Sequence, residues 1–141
     1  MTPVRMIGSA VHGILLAFPT ALFPAALVTD IAYLRTAQIQ WSNFSAWLIA
    51  GGLVFCGLVL AWGLVALLLD WRGDRRRRRL IYPAALALLF VLGLLNAFKH
   101  SQDAWSSVGA FGLFLSVLCT LLALVAAALA YGRFLDREVV R

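Results

Sequence analysis

The chain has 141 residues, 63% of them hydrophobic and 13% charged, where a soluble domain is about half apolar and a quarter charged. One core of this size cannot hide that much apolar surface, so a second apolar phase, the lipid bilayer, takes up the rest. A net charge of +6 on a soluble chain would suggest nucleic acid. Here the basic residues sit between apolar stretches, and they read as a topology signal rather than a nucleic-acid face.

The first apolar stretch runs from about Met6 to Val28, close to the roughly 20 residues that cross a hydrocarbon core. It is too long for a signal-peptide core, Pro19 and Pro24 interrupt it, and no small-x-small cleavage site follows. It therefore reads as an uncleaved span that the two prolines bend. His12 lies about six residues inside it. Asp30 follows it, at what reads as a helix C-terminus, where the dipole disfavours negative charge and calls for a cationic partner.

A loop from about Thr29 to Asn43 leads to the second span, about Phe44 to Leu69, which ends at Asp70 and Trp71. Gly52, Cys56 and Gly63 share one face of it, with Gly57 and Ala61 beside them. Such small residues suit close helix contact. Next comes the run Arg75, Arg76, Arg77, Arg78 and Arg79, a topology lock and a contact for anionic lipid or an acidic partner surface. The third span covers about Leu80 to Phe98 and contains Asn96, the most buried amide. After a second short loop, Lys99 to Ser107, the fourth covers about Val108 to Tyr131. No internal repeat is apparent. Cys56 and Cys119 both lie inside spans, without the spacing of a metal or redox pair.

Orientation follows from the cations. Placing the N-terminus, the middle loop and the C-terminus on one side puts Arg5, Arg72, Arg75–Arg79, Arg133, Arg137 and Arg141 there, against Arg35 and Lys99 opposite. Tyr33, Trp41, Trp47 and Trp105 mark the outer boundary, and Trp71, Tyr82 and Tyr131 the inner one. The expected fold is all-α: one transmembrane domain, an up-down-up-down four-helix bundle with both termini cytoplasmic.

Ionisable residues in a membrane need a reason. At the inner boundary His12 and Asp70 could pair and hold a redox cofactor or a proton path. At the outer boundary Asp30, Arg35, Lys99, His100 and Asp103 form a polar cluster, with Lys99 or His100 the expected partner of Asp30. Two histidines raise haem b, but axial ligands must sit at one depth. His12 and His100 are roughly 20 Å apart along the normal at ~1.5 Å per residue, so no bis-His haem forms within one chain. No phosphate loop, nucleophile elbow or zinc motif is present. No cofactor, catalytic residue or metal site is expected.

His12-Gly13-Ile14-Leu15-Leu16-Ala17-Phe18-Pro19, then Asp30, together with Trp47, Gly51-Gly52 and Leu69-Asp70-Trp71, resemble an uncharacterised bacterial family of small four-helix membrane proteins, a domain of unknown function. Its pattern is His-Pro, a short apolar gap, Phe-Pro and a later Asp, with an Asp ending the second helix. The likeness covers mainly the first 71 residues, with an echo in Asn96 and Ala130-Tyr131-Gly132. Gly13 departs from the usual Pro. Many members carry a His around positions 82 to 84, at the depth of His12, where this chain has Tyr82-Pro83-Ala84.

Relatives of this kind sometimes occur fused to, or encoded beside, Rieske-type or cytochrome c-type modules and membrane-bound dehydrogenases, so the resemblance implies an electron-transfer setting. The leading expectation is a non-catalytic bacterial inner-membrane subunit that anchors a larger energy-converting complex, with lipids and other membrane subunits as partners. The alternatives are a quinone- or haem-associated redox protein using His12 and Asp70, and a small transporter or channel subunit.

Overall fold

The computed structural model describes residues 3–69, 76–102 and 108–139. Four helices carry nearly all of them: α1 (Pro3–Thr36), α2 (Ile39–Leu69), α3 (Arg76–His100) and α4 (Ala110–Val139). Each contains a segment long and apolar enough to cross a membrane: Ala10–Thr36, Ile39–Leu69, Leu80–His100 and Ala110–Gly132. The expected spans are all present, but the first two are longer than their apolar cores. The loop expected over Thr29–Asn43 shrinks to Ala37 and Gln38.

The physical reason lies in the residues of that stretch. From Thr29 to Asn43 it contains neither Gly nor Pro, so nothing in it breaks a helix before the chain must turn. The turn itself is made by Ala37, whose φ of 53° is left-handed. Its amide donates to the Tyr33 carbonyl at 2.8 Å, closing α1 in the manner of a left-handed C-cap.

The helices form a square in chain order. α1 packs on α2 and α4, and α3 packs on α2 and α4; among the described residues neither diagonal pair brings Cα atoms within 8 Å. Side chains fill the centre. On α1 the buried positions Leu16, Pro19, Phe23, Ala26 and Asp30 alternate spacings of three and four, the seam of a bundle helix. On α3 Leu86, Leu89, Gly93, Asn96 and His100, each 70 residues further on, are buried as well, together with Tyr82 and Pro83. Ser42, Ser45, Ile49, Leu53 and Cys56 of α2 are matched in the same way by Gly112, Leu115, Cys119, Ala123 and Ala126 of α4. Few of the paired residues are identical, so no repeat is legible in the sequence, but the two helical hairpins bury corresponding positions of their seams.

Glycines on α2 and α3 let that centre close. A Cβ on Gly52 would lie 3.1 Å from the Phe23 ring, and one on Gly93 would lie 3.2 Å from Phe23 Cζ and 2.8 Å from Leu53 Cδ2. Phe23 therefore fills the middle of the square from α1, reaching both α2 and the diagonal α3. The small residues of α2 serve packing within the chain: Gly51 faces Leu22, Gly57 faces Phe90, and Gly63 faces Pro83.

Candidate functional site

Two polar layers close the ends of the apolar seam. The deeper-set one, at the end of the bundle away from the termini, is built on Asp30. This carboxylate is wholly buried. Its Oδ1 lies 2.8 Å from His100 Nε2, and its Oδ2 accepts a hydrogen bond from Ser116 Oγ at 2.5 Å. Asn96 Nδ2 donates to the same Ser116 oxygen at 2.9 Å. Ser45 Oγ donates to the Ala26 carbonyl at 3.3 Å and sits 3.3 Å from His100 Nε2. One turn nearer the middle, Thr120 Oγ1 donates to the Phe23 carbonyl at 3.2 Å. All four helices contribute a side chain, and every contributor is buried.

The helix seams produce this arrangement. Asp30 and His100 close the buried faces of α1 and α3 at matching positions, so they meet on the axis although their backbones stay apart. Asp30 is not at a helix C-terminus, as its position after the apolar stretch suggested, since α1 continues to Thr36. The dipole argument for a cationic partner therefore falls. What demands a partner is burial, because an unpaired charge in an apolar interior is expensive.

Of the two expected partners, His100 is the one that meets Asp30. Lys99 Nζ turns instead to Gln102 Oε1 at 2.7 Å. Arg35 is exposed at the end of α1, and Asp103 lies outside the described residues. The cluster is therefore smaller and deeper than an interfacial salt-bridge group, and Ser45, Ser116 and Thr120 belong to it. Those three were missed because a hydroxyl in an apolar span commonly satisfies its own helix, as Thr20 does by donating to the Leu16 carbonyl.

The second layer lies 18 residues earlier on both α1 and α3, roughly 27 Å away at ~1.5 Å per residue. His12 Nε2 is 2.8 Å from Tyr82 Oη, and these two residues again differ by 70. The Trp62 ring of α2 lies 6.1 Å from the imidazole and the Tyr82 ring 5.7 Å. Tyr131 of α4 donates to the Gly13 carbonyl at 3.3 Å. His12 Nδ1 is buried with no hydrogen-bond partner among the described residues. Asp70, the partner expected for His12, lies outside them, as do Arg75 and the side chains of Arg76–Arg79.

The structure thus keeps the two histidines at opposite ends, each engaged by a residue of the diagonal helix. Tyr82 occupies the place beside His12 that the depth argument assigned to a second ligand. Their direct 2.8 Å contact would have to break for His12 Nε2 to ligate anything else. Among the described residues no group of three His, Cys, Asp or Glu gathers to hold a metal ion.

Four membrane-crossing helices, with α1 and α3 joined across one diagonal by a polar pair at each end, define a small multi-span membrane protein. Its family is the one described as predicted membrane protein, a domain of unknown function (DUF2231), whose model matches residues 8–133. The chain belongs to that family. No curated protein and no solved structure matches it.

Proposed function

We propose that the chain is a non-catalytic membrane subunit that anchors or stabilises a larger complex of the bacterial inner membrane, in an electron-transfer or energy-converting setting, with both termini cytoplasmic. The observation that carries this reading is how its buried polar side chains are used. At both ends of the bundle they bond to one another across the α1–α3 diagonal, while exposed side chains along the spans, such as Ile14, Val28, Val54, Leu88, Phe98 and Leu121, are apolar. Such a body offers lipid and neighbouring subunits an apolar surface held on an internally bonded frame. The arginine run Arg75–Arg79 supplies the attachment to anionic lipid or an acidic partner on the terminal side. Purification in mild detergent tests this: stoichiometric co-purification of other membrane subunits supports it, and a monodisperse protein that retains no partner from native membranes refutes it.

A redox reading, with a quinone or haem held at the terminal end, is favoured by one observation. The buried Nδ1 of His12 has no partner among the described residues, and such an atom is rarely left unsatisfied. In that reading His12, together with Asp70, holds the polar head of the cofactor. An absorption spectrum and quinone extraction of the purified protein separate the two readings.

A further inference from the structure

Hydrogen-bond geometry constrains the protonation of the His100 layer. The Asn96 carbonyl oxygen, 2.9 Å from His100 Nδ1, can only accept, so Nδ1 carries a hydrogen. Ser45 spends its hydroxyl hydrogen on the Ala26 carbonyl, so towards His100 Nε2 its oxygen also accepts. Of the two atoms that could carry the hydrogen between the pair, Nε2 and Asp30 Oδ1, this contact favours Nε2. Asp30 Oδ1 then receives that hydrogen at 2.8 Å, and Oδ2 receives the Ser116 hydrogen. The arrangement is an imidazolium beside a carboxylate, of zero net charge.

This geometry tolerates one proton count only. With the Nε2 proton removed, a lone pair and a carboxylate oxygen would face each other at the distance of a hydrogen bond. With a proton added to Asp30 Oδ1, two donors would face each other. The surroundings do not buffer either change. Around the pair, α2 contributes Ser45, α3 Asn96, and α4 Ser116 and Thr120, all neutral; Lys99 is engaged by Gln102, Arg35 is exposed at the end of α1, and Asp103 lies outside the described residues. Yet His100 is the last residue of α3, and exposed Ser101 and Gln102 follow it directly. A buried acid–base pair therefore stands one residue from water.

We propose that Asp30 and His100 form a proton-binding site that exchanges one proton with the aqueous phase at the end of the bundle away from the termini. On release the Nε2–H bond breaks and the proton passes to water as hydronium, or to hydroxide to give water. His100 stays neutral with its hydrogen on Nδ1, Asp30 stays a carboxylate, and the α1–α3 bridge opens. Uptake reverses each step. The proposal does not depend on what the protein anchors.

Nitrogen-15 NMR of the histidine-labelled full chain in lipid bilayers tests it, with His12→Gln used to assign the His100 signals. The wild type is expected to show both ring nitrogens of His100 protonated at neutral pH. As the pH is raised, Nε2 alone should deprotonate in one reversible step, while faster backbone amide exchange spreads over residues 26–36. Asp30→Asn should leave one protonated nitrogen throughout, and Asp30→Glu should restore the step. A singly protonated His100 at neutral pH in the wild type overturns the proposal. So does an Nε2 that keeps its proton until the helices themselves unfold, or an unchanged titration in Asp30→Asn.

Discussion

Replacing Ser116 with Ala removes one oxygen and orphans two atoms, Asp30 Oδ2 and Asn96 Nδ2. An unsatisfied buried polar group costs about 1–3 kcal/mol, so Ser116→Ala is expected to lower stability by that order in an unfolding assay in bilayer-like detergent. Asp30→Leu alone removes the partner of His100 Nε2 and obliges the imidazole to shed a proton to stay buried, a loss of about 1–3 kcal/mol. The double change Asp30→Leu with His100→Met removes both charges and should cost less than Asp30→Leu alone. A double mutant at least as unstable as that single variant would show that the pair's value is not mutual compensation. At this scale the sequence is informative about which residues matter, because charged and imidazole side chains in apolar spans are rare. Asp30, His12 and His100 stand out for that reason. It is silent on Ser45, Ser116 and Tyr82, whose partners depend on how each helix is rotated, and a single span does not encode that rotation relative to the others.

Among the elements, the α1–α2 turn and the centre of α3 are the points of tightest constraint. Ala37 holds a left-handed φ, which costs an L-residue roughly 1–2 kcal/mol; Ala37→Gly is expected to recover about 1 kcal/mol, read as a higher unfolding midpoint. Gly93→Ala acts in the opposite sense. Its methyl would meet Leu53 Cδ2 at 2.8 Å and Phe23 Cζ at 3.2 Å, and both neighbours are themselves buried. Overpacking of this kind costs about 1–3 kcal/mol, and Phe23→Leu in the same chain should recover part of it. No recovery would mean that the clash is carried by Leu53 instead. The four spans were legible from apolar length alone. The length of α1 and α2 was not, because hydropathy falls at Asp30 while helix propensity does not, and the helix continues until a left-handed residue ends it.

For the whole molecule the matching seams have a mechanical reading. Two hairpins of similar burial face each other, and the bonds that join them on the axis sit at the two ends. Orientation is tested by single cysteines: Gln38→Cys is expected to react with an impermeant reagent from the periplasm, and Gly73→Cys only from the cytoplasm. Labelling of Gly73→Cys from outside would reverse the proposed topology. Changing Arg75–Arg79 to Gln should loosen insertion fidelity or weaken retention of a partner. If neither changes, the run is redundant with the other arginines of that side.

The diagonal bridge between Asp30 and His100 also bears on how the protein is made. Helices enter the bilayer in order, and the hairpin α1–α2 is complete before His100 has been synthesised. During that interval Asp30 has no histidine, and a carboxyl near the end of a span, though it costs less than the about 2.5–3.5 kcal/mol of a helix centre, still disfavours insertion. The first hairpin is therefore a poor resident of lipid on its own. It should linger at the insertion machinery, or be held by a chaperone, until α3 arrives. Residues 1–74 expressed alone are expected to be degraded, and co-expression of 75–141 from a second gene should rescue them, with His100→Leu in the second fragment abolishing the rescue. The same buried pair that seals the finished bundle thus sets a checkpoint in its assembly, passed only when both halves of the chain are present.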